Sequence, residues 1–214
     1  MNILLVDDHA VVRLGYDGLL RSGLPGMEVR EAASGEEALA RVHEAVPNLV
    51  IIGFGLPGIS GLETTRRLRQ RLPQLRVLFF SQHAELPLVR QALDAGASGY
   101  LTKRASPAVM LEAVERILDG HTYIEQDLAT QLAYHPTDRR LQSMTQRELE
   151  IFLMLAKGTP ARSIAAQLSI SSKTVSNHLT LLKSKLQVSS HAELVHLGID
   201  MGVVRVAGYR ESSL

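Results

Sequence analysis

The feature that most narrows the fold is a fivefold alternation across the first 120 residues. Short apolar runs at 3–6, 29–33, 49–54, 77–81 and 98–101 are separated by longer segments with helical spacing. The helical patterns cover 11–20, 36–46, 61–72, 86–95 and 107–118, the second introduced by the capping signature Ser34-Gly35-Glu36-Glu37. Near-continuous apolar strands need burial on both faces, and parallel strands need long, right-handed crossovers. The expected fold is therefore α/β, a doubly wound, five-stranded parallel sheet with helices on both sides. In such sheets function gathers beyond the C-terminal ends of the strands, which singles out Asp7, Asp8, Gly53, Ser81 and Lys103.

A different pattern follows residue 143. Thr145-Gln146-Arg147-Glu148 reads as a capping box, with Leu149, Phe152, Leu153 and Ala156 at helical spacing and Gly158 as the stop. Thr159 as cap and Pro160 as first residue open a short helix that turns Ile164, Ala165 and Leu168 inward. Ser169-Ile170-Ser171 then turns the chain into a long helix over 171–186, where Val175, Leu179, Leu182 and Leu186 share one stripe. Lys173, Asn177, Thr180 and Ser184 lie opposite, flanked by Lys183 and Lys185. Ser190-His191-Ala192-Glu193 caps a fourth helix that ends near Gly202. Helix, short helix, turn, long helix is the helix-turn-helix arrangement, whose long helix suits the major groove of DNA. The charge distribution agrees: residues 140–190 hold seven Lys and Arg against two acids, leaving 16 against 20 elsewhere. An ordinary amphipathic surface helix has the same periodicity, so the polar face alone does not decide between the two.

These patterns divide the chain into 1–120, a strand-helix domain; 121–143, a linker with a short helix near 127–133; 144–205, an all-α domain of four helices; and a tail at 206–214 without usable signal. His121 and His135 in the linker carry no metal-ligand spacing, and the absence of cysteine excludes disulfide and thiolate chemistry. No apolar run has the roughly 18 residues of a membrane span, and no secretory signal precedes the first strand, so a cytoplasmic location and no membrane partner are expected.

The segments Leu5-Val6-Asp7-Asp8-His9, Leu56-Pro57-Gly58-Ile59-Ser60-Gly61 and Ala95-Gly96-Ala97-Ser98-Gly99-Tyr100-Leu101-Thr102-Lys103, with Ser81 between them, resemble a response-regulator receiver. Residues 144–193 resemble the LuxR-type helix-turn-helix, and the order of the two is that of the NarL/FixJ two-component transcription factors. The resemblance implies a flavodoxin-like receiver with strand order 2-1-3-4-5. It assigns Asp7 and Asp8 to the acid pair that holds magnesium, Lys103 to the phosphoryl-binding cation, Ser81 to the hydroxyl that senses the product, and Tyr100 to the switch aromatic. On the long helix it implies base contacts from Ser176, Asn177 and Thr180, with Lys173, Thr174, His178 and Lys183 near phosphates. His178 is equally readable as a packing residue. Double-stranded DNA with inverted-repeat sites is the implied partner, bound by a homodimer to which the helix from 190 to 201 contributes.

One position departs from the pattern. The family's phospho-acceptor carboxylate falls on Gly53, which has no side chain, and neither Phe54 nor Gly55 replaces it. Magnesium affinity is then expected to be weak, no resident cofactor or metal is expected, and Lys103 is expected to pair with Asp7 or Asp8. The chain reads as a transcription regulator with an atypical receiver, and not as an enzyme. Other readings stay open: a conventional regulator silenced by an engineered change at Gly53 or phosphorylated at another acid, a receiver that docks on a partner protein, and a pocket that holds an anion beside Lys103. The drift of the whole Gly53-Phe54-Gly55 triplet favours a natural departure over a point change.

Overall fold

A computed structural model describes residues 1–134, 138–168, 170–201 and 203–204. Ser169 of the expected turn, His135, Gly202 and the 206–214 tail lie outside the described residues. The chain divides into two compact units, 1–136 and 137–214.

The first unit runs β1 (Asn2–Val6), α1 (Ala10–Gly23), β2 (Glu28–Ala32), α2 (Gly35–Glu44), β3 (Leu49–Ile52), α3 (Gly61–Arg71), β4 (Arg76–Ser81), α4 (Leu86–Asp94), β5 (Gly99–Thr102), α5 (Pro107–Leu118), β6 (Tyr123–Ile124) and α6 (Gln126–Tyr134). Ser34, Ser60 and Ser106 cap α2, α3 and α5, each side-chain oxygen accepting from the backbone N–H three residues on. The sheet is parallel in the order β2-β1-β3-β4-β5-β6. On one face Ile3, Leu5, Leu49, Ile51, Leu78, Phe80 and Leu101 pack against Leu20 of α1 and Met110, Ala113, Val114 and Ile117 of α5. Leu4, Val50, Ile52, Val77, Phe79 and Tyr100 are buried as well, so both faces are covered, as their unbroken apolar character requires.

The expected five strands are six among the described residues. Tyr123 and Ile124, read as tether, pair in parallel with Gly99 and Tyr100. The register continues as Glu125 N–H donates to Tyr100 O at 3.1 Å, while the Glu125 carboxylate accepts from Thr102 N–H at 2.9 Å. Two residues are too few to show a strand period, and it is these nonlocal hydrogen bonds that hold them in the sheet. The helix after them is also part of this unit: Arg90 of α4 donates to Leu132 O of α6 at 2.7 Å.

The second unit contains α7 (Arg139–Gln142), α8 (Gln146–Ala156), α9 (Ala161–Gln167), α10 (Ser172–Leu186) and α11 (His191–Asp200). The short α7 stands ahead of the four expected helices. Thr145 and Glu148 form the reciprocal capping box of α8. The cap of α9 is Pro160 itself, not Thr159, and it makes no side-chain bond. Leu149, Ile151, Phe152, Leu155, Ile164, Val175, Leu182, Leu186 and Leu194 are the buried centre. Gly198 of α11 sits so near α8 that a Cβ there would come within 2.6 Å of Ala156 Cβ. Leu194 and Gly198 thus face inward, which leaves Leu194 unavailable to a second copy. Among the described residues no helix is long and apolar enough to cross a membrane.

Candidate functional site

Two places concentrate the residues singled out by sequence. The first is the C-terminal edge of the sheet, where β1, β3, β4 and β5 deliver Asp7, Gly53, Ser81 and Lys103 side by side. Asp7 is 2% exposed and held from several directions. Its Oδ1 accepts from His9 N–H at 3.0 Å and lies 3.2 Å from His9 Nδ1, while Lys103 Nζ stands 2.5 Å from Oδ2. Of the two partners expected for Lys103, Asp7 is the one it meets. Asp8 points outward, with Oδ1 at 2.7 Å from His9 Nδ1.

Gly53 follows β3 directly and donates to Val6 O at 2.8 Å. Its φ is outside the left-handed region, and a Cβ would meet nothing closer than Asp7 Oδ2 at 3.1 Å. Backbone geometry therefore does not demand glycine here. What packs tightly on this turn is Gly61, where a Cβ would overlap Gly53 O. Phe54 is turned inward at 5.4 Å from the Phe79 ring.

Asp7, Asp8 and His9 can bring one ligand atom each within 4.8 Å of one another. The set does not fit a resident magnesium, which asks for oxygen donors in octahedral geometry. One of the two carboxylates is committed to an ammonium, the third donor is an imidazole, and Gly53 adds none.

Ser81 is buried, and its Oγ accepts from His83 N–H at 3.2 Å. Tyr100 is fully buried, stacked on Phe79, and donates its hydroxyl to His83 O at 2.9 Å. Burial pushes the Tyr100 phenol far above its ordinary range; Glu85 and Glu125 push the same way, and the hydrogen bond with Ser81 opposes them. His9 and the Thr102–Glu125 contact were missed from sequence. The first had a signal in its adjacency to two acids; the second depends on β6 and had none.

The second place is α10. Lys173, Ser176, Asn177 and Thr180 are exposed, whereas Thr174, His178 and Lys183 are half-buried. Ser171 caps the helix, accepting from Thr174 N–H at 3.0 Å with the two hydroxyls 2.8 Å apart. His178 Nδ1 is buried without a hydrogen-bond partner, consistent with a packed ring. Lys185 does not flank the polar face as expected, because its ammonium reaches Ser143 O at 3.0 Å and Glu148 Oε2 at 2.8 Å. Burial disfavours the charged Glu148, but Lys185 and the Thr145 N–H and hydroxyl outweigh it and hold the carboxyl below its ordinary range. This contact ties the start of α8 to the end of α10.

Each of the two regions matches a known protein family. The response regulator receiver domain family matches residues 3–115, and the bacterial regulatory proteins of the luxR family match 142–198. The chain is 70% identical to transcriptional activator protein ExaE of Pseudomonas putida over 97% of its own length and 100% of that protein's. It is 35% identical to response regulator UvrY of Escherichia coli over 95% of each. A crystal structure of a LuxR-family two-component response regulator from Aurantimonas is similar at a TM-score of 0.60 and 40% identity, covering 62% of this chain and 95% of that one.

Proposed function

The chain belongs to the response regulators that join a receiver domain to a luxR-family DNA-binding domain, and from that membership we propose that it controls transcription without aspartyl phosphorylation. The observation that carries the reading is Gly53 beside a closed Asp7–Lys103 pair. The position that would carry the acceptor has no carboxylate, the cation that would receive phosphoryl oxygens is already neutralised, and the backbone does not require glycine. In this reading Asp7, Asp8, Ser81, Tyr100 and Lys103 are the remnant of a phosphoryl pocket, kept as a structural ion pair and a packed aromatic.

Reading of DNA is assigned to α10. In this reading the exposed Asn177 bonds an adenine edge bidentately, Ser176 and Thr180 lie beside it, Lys173, Thr174 and Lys183 lie towards phosphates, and His178 is a packing residue. One helix-turn-helix unit covers too little DNA for genomic selectivity, so a homodimer on an inverted repeat is proposed. Its 70% identity to a transcriptional activator favours activation as its direction, and the cytoplasm is the proposed location.

The test is intact mass and DNA affinity before and after acetyl phosphate. The expected result is no added phosphoryl group and unchanged affinity; an adduct, or affinity that responds to the donor, defeats the proposal. A second reading, a receiver that docks on a partner protein, has support in Val11 and Leu14 of α1, which are 84% and 75% exposed. Recovery of mixed complexes without specific DNA would favour it.

A further inference from the structure

The outward face of α10 is less polar than its composition suggests. Ser176 Oγ donates to Ser172 O at 3.0 Å, and Thr180 Oγ1 donates to Ser176 O at 3.1 Å. With these protons used inside the helix, both hydroxyls present only acceptor capacity outward, and the adenine, guanine and thymine edges are rich in acceptors themselves. The donors left on the face include the Asn177 amide, the Ser184 hydroxyl and the ammonium groups of Lys173 and Lys183.

Between them stands an apolar side chain absent from the sequence reading. Leu181 is 56% exposed, although Leu182 and Leu186 on the same helix are buried. At 100° per residue it lies about 40° round from Asn177 and one turn beyond it, on the same outward face. A leucine presented to a DNA groove is favourable only against an apolar partner, and the major groove displays one, the C5-methyl of thymine.

We infer that Leu181 reads a thymine methyl, and so determines specificity together with Asn177. One helical turn advances about 5.4 Å, against about 3.4 Å per base pair. The thymine therefore falls one or two base pairs from the adenine bonded by Asn177. The inference rests on α10 being the reading helix and is independent of the state of the receiver pocket.

The experiment begins with sites selected by the full chain from randomised duplexes. Each thymine of the selected half-site is then replaced singly by deoxyuridine, which removes only the methyl, and affinity is measured for wild type, Leu181→Ala and Asn177→Ala. At one thymine, uracil should weaken the wild type about fourfold per half-site, the equivalent of about 0.8 kcal/mol for one buried carbon group. Leu181→Ala should bind the thymine and uracil sites equally. Because the side chain is exposed, its melting temperature should match the wild type. Full thymine discrimination by Leu181→Ala at every position, or none by the wild type at any, overturns the inference. If Asn177→Ala loses the site while Leu181→Ala still discriminates, only the role of Leu181 fails. Unchanged site selection by Asn177→Ala removes α10 as the reading helix and the inference with it.

Discussion

Restoring a carboxylate at position 53 probes the remnant pocket directly. A Cβ at Gly53 would meet Asp7 Oδ2 at 3.1 Å, Val6 O at 3.6 Å and Leu56 Cδ2 at 3.7 Å, so the methylene of Gly53→Asp fits after a shift of a few tenths of an ångström. The new carboxylate then stands about 4 Å from Asp7, where two like charges repel by about 4 kcal/mol at an effective dielectric constant of 20. Lys103, now shared between two acids, offsets roughly half of that, leaving a destabilisation of about 2 kcal/mol. Magnesium should reverse the loss, because two converging carboxylates beside Asp8 make the oxygen-rich site that the wild type lacks. Denaturant melts of full-length wild type and Gly53→Asp, each in chelator and in magnesium, measure both effects, with intact mass after acetyl phosphate as the third readout. The variant should lose stability in chelator, regain it in magnesium and acquire a phosphoryl group. A variant as stable as the wild type in chelator and indifferent to magnesium would refute the reasoning, since its carboxylate would not reach the Asp7–Lys103 pair.

Three further perturbations address the scaffold. Tyr100→Phe removes the hydroxyl that donates to the half-buried His83 carbonyl and should cost about 1 kcal/mol in denaturant melts. The raised Tyr100 pKa makes its stability contribution complete below the unfolded-state value near 10 and lost as pH rises beyond it, so ultraviolet titration should show a late tyrosine step that disappears in Tyr100→Phe. The lowered Glu148 pKa stabilises the C-terminal unit above the unfolded-state value near 4.3 and is lost as pH falls through the folded value. Glu148→Gln should therefore be less stable at neutral pH and show a shallower acid decline in thermal melts. Gly61→Ala forces a methyl onto Gly53 O and should destabilise the first unit by about 1–3 kcal/mol, whereas Gly55→Ala, open within 4 Å, should leave the melting temperature nearly unchanged.

What the sequence by itself determined is whatever depends on neighbours within about four residues or on period. Five apolar runs and the helices between them were legible, as were the caps at Ser34 and Ser190 and the capping box at Thr145, because each is carried by local spacing. Gly53 was legible too, since an absent side chain needs no coordinates. Other features belong to the tertiary structure alone. The sheet continues to β6 because Tyr123 and Glu125 find the β5 edge, a pairing two residues cannot announce. Lys103 meets Asp7 and not Asp8 because β1 and β5 bring the buried acid to its ammonium and leave Asp8 turned outward. Lys185 is drawn off the polar face of α10 by Glu148, 37 residues earlier in the chain. In each case a polar side chain or strand edge had several possible partners in sequence, and burial selected one of them.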